Sequence, residues 1–164
     1  MAALQQRTIE AITTNEAALL ARWGEGLESS GATRDARIGA DELSRQTRDF
    51  LRMFVAASTT GDAGSVAGKD WADARSFLDG LSRSRALQGF DSQHTANFIF
   101  SLKRPLFEEL QRAYADAPAQ LSDQLVAISD LLDALGMHTV RAFQKTREDI
   151  INRQQVFSVD RSRV

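Results

Sequence analysis

Residues 118–155 read PAQLSDQLVAISDLLDALGMHTVRAFQKTREDIINRQQ, and the distance over which this run stays helical decides the architecture. Pro118 suits the first turn of a helix, where a missing N–H is tolerated. Leu121, Leu125, Ile128, Leu132 and Leu135 follow in alternating steps of four and three, the spacing of a helix seam. After Gly136 a shifted stripe continues through Val140, Phe143, Arg147, Ile150 and Ile151. Helical periodicity of that length exceeds what one small core can cover. Its distal turns, TREDIINRQQ, are charged with a thin apolar stripe, as expected of a rod that projects from its domain and pairs with a second copy.

Working outward, the rest of the chain is also helical by pattern. Only two prolines occur and strand-like alternation is nowhere sustained. A first helix is expected over residues 4–27, broken near residues 13–15, where Thr13 and Glu16 have the spacing of a capping box. A second, over residues 42–58, carries Leu43, Thr47, Phe50, Leu51, Phe54 and Val55 at helical spacing. Asp70 is placed to cap a third, with Trp71, Ala74, Phe77, Leu78 and Leu81 on one side. Asp91 is placed to cap a fourth, over residues 92–115.

That fourth helix has apolar residues on two faces, Ile99, Leu102, Leu106 and Leu110 on one, Phe100, Phe107 and Tyr114 on the other, so it is expected to be buried and central. Its middle, FIFSLKRPLF at residues 98–107, puts Lys103, Arg104 and Pro105 into the most apolar stretch. Pro105 cannot donate to the carbonyl of Ser101, which predicts a kink or a local loosening near residues 101–105. Lys103 can lay its methylenes along the aromatic stripe while its ammonium reaches water or a carboxylate.

Composition bounds the function. With 164 residues, 43% of them hydrophobic and 26% charged, the chain can bury a single core and falls outside the range of disordered sequences. A net charge of −2 offers no broad attraction for nucleic acid or an anionic membrane. The absence of cysteine removes disulfides, thiolate metal sites and thiol nucleophiles, and suits the cytoplasm. No apolar run is long enough to span a bilayer. Carboxylates are scattered over polar faces, and no phosphate loop, nucleophile elbow or metal motif appears, so an enzyme is not expected. Of the two histidines, His94 reads as a surface or capping residue in the first turn of the fourth helix. His138 is the weak candidate for a haem ligand and reads first as a packing residue.

The order of Trp71 on a short helix, LSRSRALQGF, DSQHTANFIFSLKRPLFEEL and a long helix ending REDIINRQQ resembles the N-terminal sensory domains of the RsbR and RsbRD type, the RsbT co-antagonists of the bacterial stressosome. Arg85 with Gly89–Phe90, the triplet Ser101–Leu102–Lys103, and Arg153–Gln154–Gln155 carry the resemblance most specifically. It implies an all-α, globin-like bundle without haem, dimeric, whose residues 1–155 form the sensory domain including a C-terminal signalling helix. Residues 156–164, VFSVDRSRV, do not match the usual start of a STAS domain, and are expected to be a tail or the start of another output domain. The expected function is non-enzymatic stress signalling, relayed through the last helix to an output domain or stressosome-type partners. Arg85, Lys103, Pro105, Val140, Phe143, Ile150 and Ile151 are its candidate signalling and interface residues, and Arg85 and Lys103 are candidates for a signal-dependent ion pair. No cofactor is expected; the alternative is a haem- or small-ligand sensor with a pocket lined by Phe98, Phe100 or Phe107. A histidine phosphotransfer bundle using His94 or His138 is a further competitor.

Overall fold

The periodic segments become seven α-helices in the computed structural model, which describes residues 4–30, 38–60 and 65–162, with side chains described as far as residue 156. They are α1 (Gln6–Thr14), α2 (Glu16–Ser29), α3 (Ala40–Thr59), α4 (Ala72–Leu87), α5 (Ser92–Phe100), α6 (Lys103–Ala113) and α7 (Pro118–Ser162), with a single 3-10 turn, Lys69–Trp71, leading into α4. No strand occurs among the described residues.

The first helical region breaks where expected, but by another device. Asn15 closes α1 by donating both its backbone N–H and its Nδ2 to the carbonyl of Ala11, at 3.3 and 2.8 Å. The capping box does not form, because the Thr13 hydroxyl donates back to the carbonyl of Ile9 and is used up inside α1. Nor does Asp70 cap α4. It lies within the 3-10 turn, and α4 starts after Trp71 without a side-chain cap. Asp91 does cap α5, its Oδ1 accepting the His94 N–H at 2.8 Å.

The largest departure is at residues 92–115, which form two helices rather than one bent helix. The chain turns at Ser101 and Leu102, where the Leu102 N–H bonds Ile99 O in a tight i→i−3 step instead of reaching Phe98 O. The Phe98 carbonyl is taken by Trp23, whose buried Nε1–H donates to it at 3.0 Å. Pro105 then falls in the first turn of α6, a place where a missing N–H costs nothing. It does not kink a continuous helix.

The core is one cluster. Trp23 of α2, Phe50 and Phe54 of α3, Trp71, and Phe98 of α5 interlock with ring centroids 5.0–5.9 Å apart for Trp23–Phe98, Trp23–Phe50 and Phe54–Trp71. Ile128, Leu131, Leu132 and Leu135 close that core from the α7 side. At 45 residues, α7 is roughly 67 Å long at 1.5 Å per residue. Its apolar positions lose cover along its length: Leu135 is 0% and Phe143 2% exposed, but Ile151 is 45% and Val156 63% exposed. The helix passes residue 155 without interruption and is described as far as Ser162.

Candidate functional site

Arg85 is positioned by the way α4 stops. Gly89 adopts φ 86°, a conformation that favours glycine. The Gly89 N–H bonds Ala86 O and the Phe90 N–H bonds Arg85 O, at 3.1 and 3.0 Å, the pair of bonds of a Schellman motif. This cap fixes the backbone of Arg85 and brings the Phe90 ring to 6.0 Å from its guanidinium. The residues of the Arg85 and Gly89–Phe90 signature are therefore one structural device.

The guanidinium is buried, with Arg85 2% exposed. It donates to Gln46 Oε1 of α3 at 2.6 Å and, more distantly, to Gln88 Oε1 at 3.4 Å. Gln46 in turn donates to Glu42 at 3.3 Å, so the nearest compensating carboxylate acts at one remove. Among the described residues no carboxylate lies within ion-pair distance of Arg85. Burial lowers its pKa from the usual guanidinium value, and the charge of Glu42 opposes that shift.

Arg85 lines a cleft of about 350 Å³ between α4, α5 and the facing parts of α2 and α3. Leu27, Leu43, Leu81 and Phe98 supply its apolar lining. Thr95, 1% exposed, also lines it, and the Thr95 hydroxyl has no hydrogen-bond partner among the described residues. His94, stacked on Phe90 with centroids 4.1 Å apart, lines the cleft together with Asp91. Chemically this is an amphipathic recess with one buried positive group and one unused hydroxyl.

A second set of contacts joins α4, α5 and the α5–α6 turn to α7. Lys103 is bonded to Asp133, and its ammonium lies 5.5 Å from the Phe100 ring. That ring is laid on α7 at Gly136, where an added Cβ would come within 2.4 Å of Phe100 Cε1. Gly136 is what allows so close an approach. From α4, the buried Ser82 hydroxyl donates to Thr139 O at 3.3 Å, and Asp79 Oδ1 lies 2.7 Å from His138 Nε2.

The expected site residues thus separate into two groups. Arg85 belongs to the cleft, whereas Lys103 sits at the α5–α6 turn beside α7 and pairs there with Asp133. Val140 is half-buried and Phe143 buried; Ile150 is half-buried and Ile151 exposed, all on α7. His138 does not fit a haem ligand. Its Nε2 is engaged by Asp79, and the groove beside it, about 470 Å³, is lined by Arg83, Arg141, Lys145 and Asp149 rather than by the apolar walls a porphyrin needs. Of the three phenylalanines offered as pocket lining, Phe98 alone lines the cleft. Phe98 joins the aromatic core and the cleft, Phe100 covers Gly136, and Phe107 packs half-buried on the core. Glu42, Gln46 and Thr95 were not legible as site residues, since nothing in a helix-periodic sequence marks which polar side chains will meet across helices.

Among the described residues there is no group of three or more histidine, cysteine or acidic side chains able to hold a metal ion, and no helix is long and apolar enough to cross a membrane. The family model of the RsbT co-antagonist protein rsbRD N-terminal domain matches residues 17–156. No curated protein and no solved structure matches the chain.

Proposed function

The chain belongs to the family of RsbT co-antagonist rsbRD N-terminal domains, a family of stressosome-type signalling domains, and from that premise we propose that it works as a dimeric, non-enzymatic sensor whose α7 carries a change in the helical body outward to an output domain. The observation that carries this reading is the exposure gradient of α7. Its first half contributes the fully buried Ile128, Leu132 and Leu135, with Val126 and Met137 on its outer face, while its distal apolar residues, Ile151 and Val156, are 45% and 63% exposed. From residue 144 to Ser162 the helix extends roughly 28 Å at 1.5 Å per residue, too far to be stabilised by the body alone. A second copy packed along this stretch supplies the missing apolar contact and makes dimer geometry the output variable. Partners of the stressosome type follow from the family, and a cytoplasmic location accords with them.

The test is sedimentation of the full chain against a variant carrying Ile151→Asp and Val156→Asp. The wild-type chain is expected to dimerise and the variant to do so at least tenfold more weakly, with the same helical content. A wild-type chain that remains monomeric at tens of micromolar, or a variant that dimerises equally well, would refute dimerisation through this face.

A further inference from the structure

We propose that the cleft between α4 and α5 is a binding site for a small organic carboxylate with an apolar body, held by Arg85 and Thr95. This deepens the sensor reading by naming the class of molecule sensed, and it rests on that reading only for the consequence of binding.

Arg85 is unusual in being a buried cation without a carboxylate at ion-pair distance among the described residues. A guanidinium with little contact with water is expensive unless it is paired, and arginine is retained at such places chiefly for planar, bidentate recognition of oxyanions. Here its nearest hydrogen-bond partner is a neutral amide oxygen, that of Gln46. That leaves N–H groups without a charged acceptor among the described residues. Thr95 adds a second incomplete group, a buried hydroxyl with no partner in the wall of the same cleft. Two buried polar side chains from different helices, one bonded to neutral amide oxygens alone and one without a partner among the described residues, both on one recess, point to a missing acceptor.

The rest of the lining specifies the ligand. Beside the polar Ser30, Gln93 and Asn97, the side chains of Leu27, Leu43, Leu81 and Phe98 offer contact to methylenes or a ring, which a fully hydrated inorganic anion cannot use. The volume of about 350 Å³ lies at the small end of ligand pockets, roughly 300–1,000 Å³. Carboxylates already near the site limit the charge it accepts. Glu42 is held by Gln46, and Asp91 is committed to the His94 N–H. A monocarboxylate satisfies Arg85 without the repulsion that a multiply charged anion would meet from these two.

Binding has a direct route to α7. Leu81 lines the cleft and the adjacent Ser82 bonds Thr139 O. Phe98 lines it too, and two residues on Phe100 rests on Gly136. A molecule wedged between α4 and α5 acts on the two helices that grip the middle of α7.

The experiment titrates the full chain with sodium hexanoate, sodium acetate and inorganic phosphate at matched ionic strength, by calorimetry and thermal unfolding. Hexanoate is expected to bind saturably at one site per chain, at least tenfold tighter than acetate because its methylenes occupy the apolar lining. Arg85→Met is expected to weaken hexanoate roughly tenfold to a hundredfold, as befits loss of a charged hydrogen-bonding partner. Thr95→Val, which keeps shape and burial, is expected to weaken it several-fold. The proposal is overturned by no saturable hexanoate binding, by phosphate binding as tightly as hexanoate, or by unchanged hexanoate affinity in Arg85→Met. Should that variant fail to fold, unchanged affinity in Thr95→Val overturns it equally. Dimer affinity measured with and without hexanoate separates the two readings: binding without any change in dimerisation leaves the site standing and removes the relay.

Discussion

Replacing Trp23 by phenylalanine isolates the bond that breaks the fourth predicted helix in two. Trp23 is fully buried, and its indole N–H donates to Phe98 O at 3.0 Å. That carbonyl has lost its helical partner, because the Leu102 N–H is spent on Ile99 O. Without the indole it becomes a buried, unpaired acceptor, which costs about 1–3 kcal/mol. The smaller ring also leaves a void of a few tens of Å³, which at ~24 cal/mol per Å³ adds on the order of 1 kcal/mol. The total is about 2–4 kcal/mol. Trp71 provides an internal control. It is equally buried, but its Nε1 has no partner among the described residues. Trp71→Phe therefore incurs only the void and is expected to cost about 1 kcal/mol. Urea unfolding of both variants, followed by far-UV circular dichroism because each removes a fluorophore, should give equal m-values and midpoints that differ by about 1–3 kcal/mol in free energy. Equal destabilisation of the two, within about 0.5 kcal/mol, would show that the Phe98 carbonyl finds another donor. The α5–α6 turn would then not depend on the Trp23 bond.

Three further outcomes follow from the same geometry. Pro105→Ala should leave helical content unchanged and lower stability by only about 0.4–1 kcal/mol through the freer unfolded chain; a measurable gain of helix on circular dichroism would mean that the proline, not the turn, separates α5 from α6. Gly136→Ala gains up to about 1 kcal/mol of helix propensity but must expel the Phe100 ring. Net stability should move by less than about 1 kcal/mol, while hydrogen exchange over residues 97–103 accelerates; unchanged exchange would contradict the seating of Phe100 on α7. The hydrogen bond from Arg7 holds the Asp116 carboxyl below the usual carboxylate range, aided by a backbone bond and the Arg7 charge. A lowered carboxylate contributes stability above its unfolded pKa and loses it as pH falls through the lower folded value, so Asp116→Asn should flatten the stability profile below about pH 4. Superimposable acid profiles would remove Asp116 from that pH dependence.

The elements visible in the sequence are those governed by local chemistry. Pro118 at the start of α7 and the seam from Leu121 to Leu135 are read from one helix at a time, and Asp91 is a cap that needs only its own first turn. The misreadings share a cause, a tertiary partner or a competing local bond that no spacing encodes. Ser101, Leu102 and Lys103 are acceptable helix residues, and the turn there depends on Trp23, 75 positions away from Phe98. Treating α5 and α6 as one helix gave it two apolar faces, when each of the shorter helices has its own face to bury. Thr13 had the spacing of a cap but found Ile9 O first. The cleft was legible in part. Arg85 and Gly89–Phe90 stood out together, and the Schellman motif explains why they occur as a set. That Gln46, 39 residues away, meets Arg85, and that Thr95 faces the same recess, is set only by how α3, α4 and α5 pack.

Which helix moves, if the proposed ligand acts, follows from the strength of the two grips on α7. α6 and α7 share the continuous core through Leu106, Leu110, Ile128, Leu132 and Leu135, all fully buried, so sliding there would open apolar voids. α4 packs on α7 over a longer stretch than α6 does, but part of that contact is polar. The Ser82–Thr139 bond is long at 3.3 Å, and Asp79, the partner of His138, is largely exposed. The exposed Asp79–His138 contact breaks and re-forms at low cost, and the buried Ser82 hydroxyl can exchange one helix carbonyl for another without being left unpaired. A ligand can shift this equilibrium only by the difference in its affinity for the two arrangements, and Arg85, at the end of α4, is the group that supplies that difference. The expected motion is therefore a displacement of α4 along α7 near His138 and Thr139, larger than any shift of α6, which the core holds in place. Spin labels placed on α4 at Arg83 and on α7 at Ala119 should change separation on saturation with hexanoate, while a pair at Arg104 and Ala119 should not. Equal changes in both pairs would mean that the whole body rotates about α7 and that the polar grip of α4 is not the compliant joint.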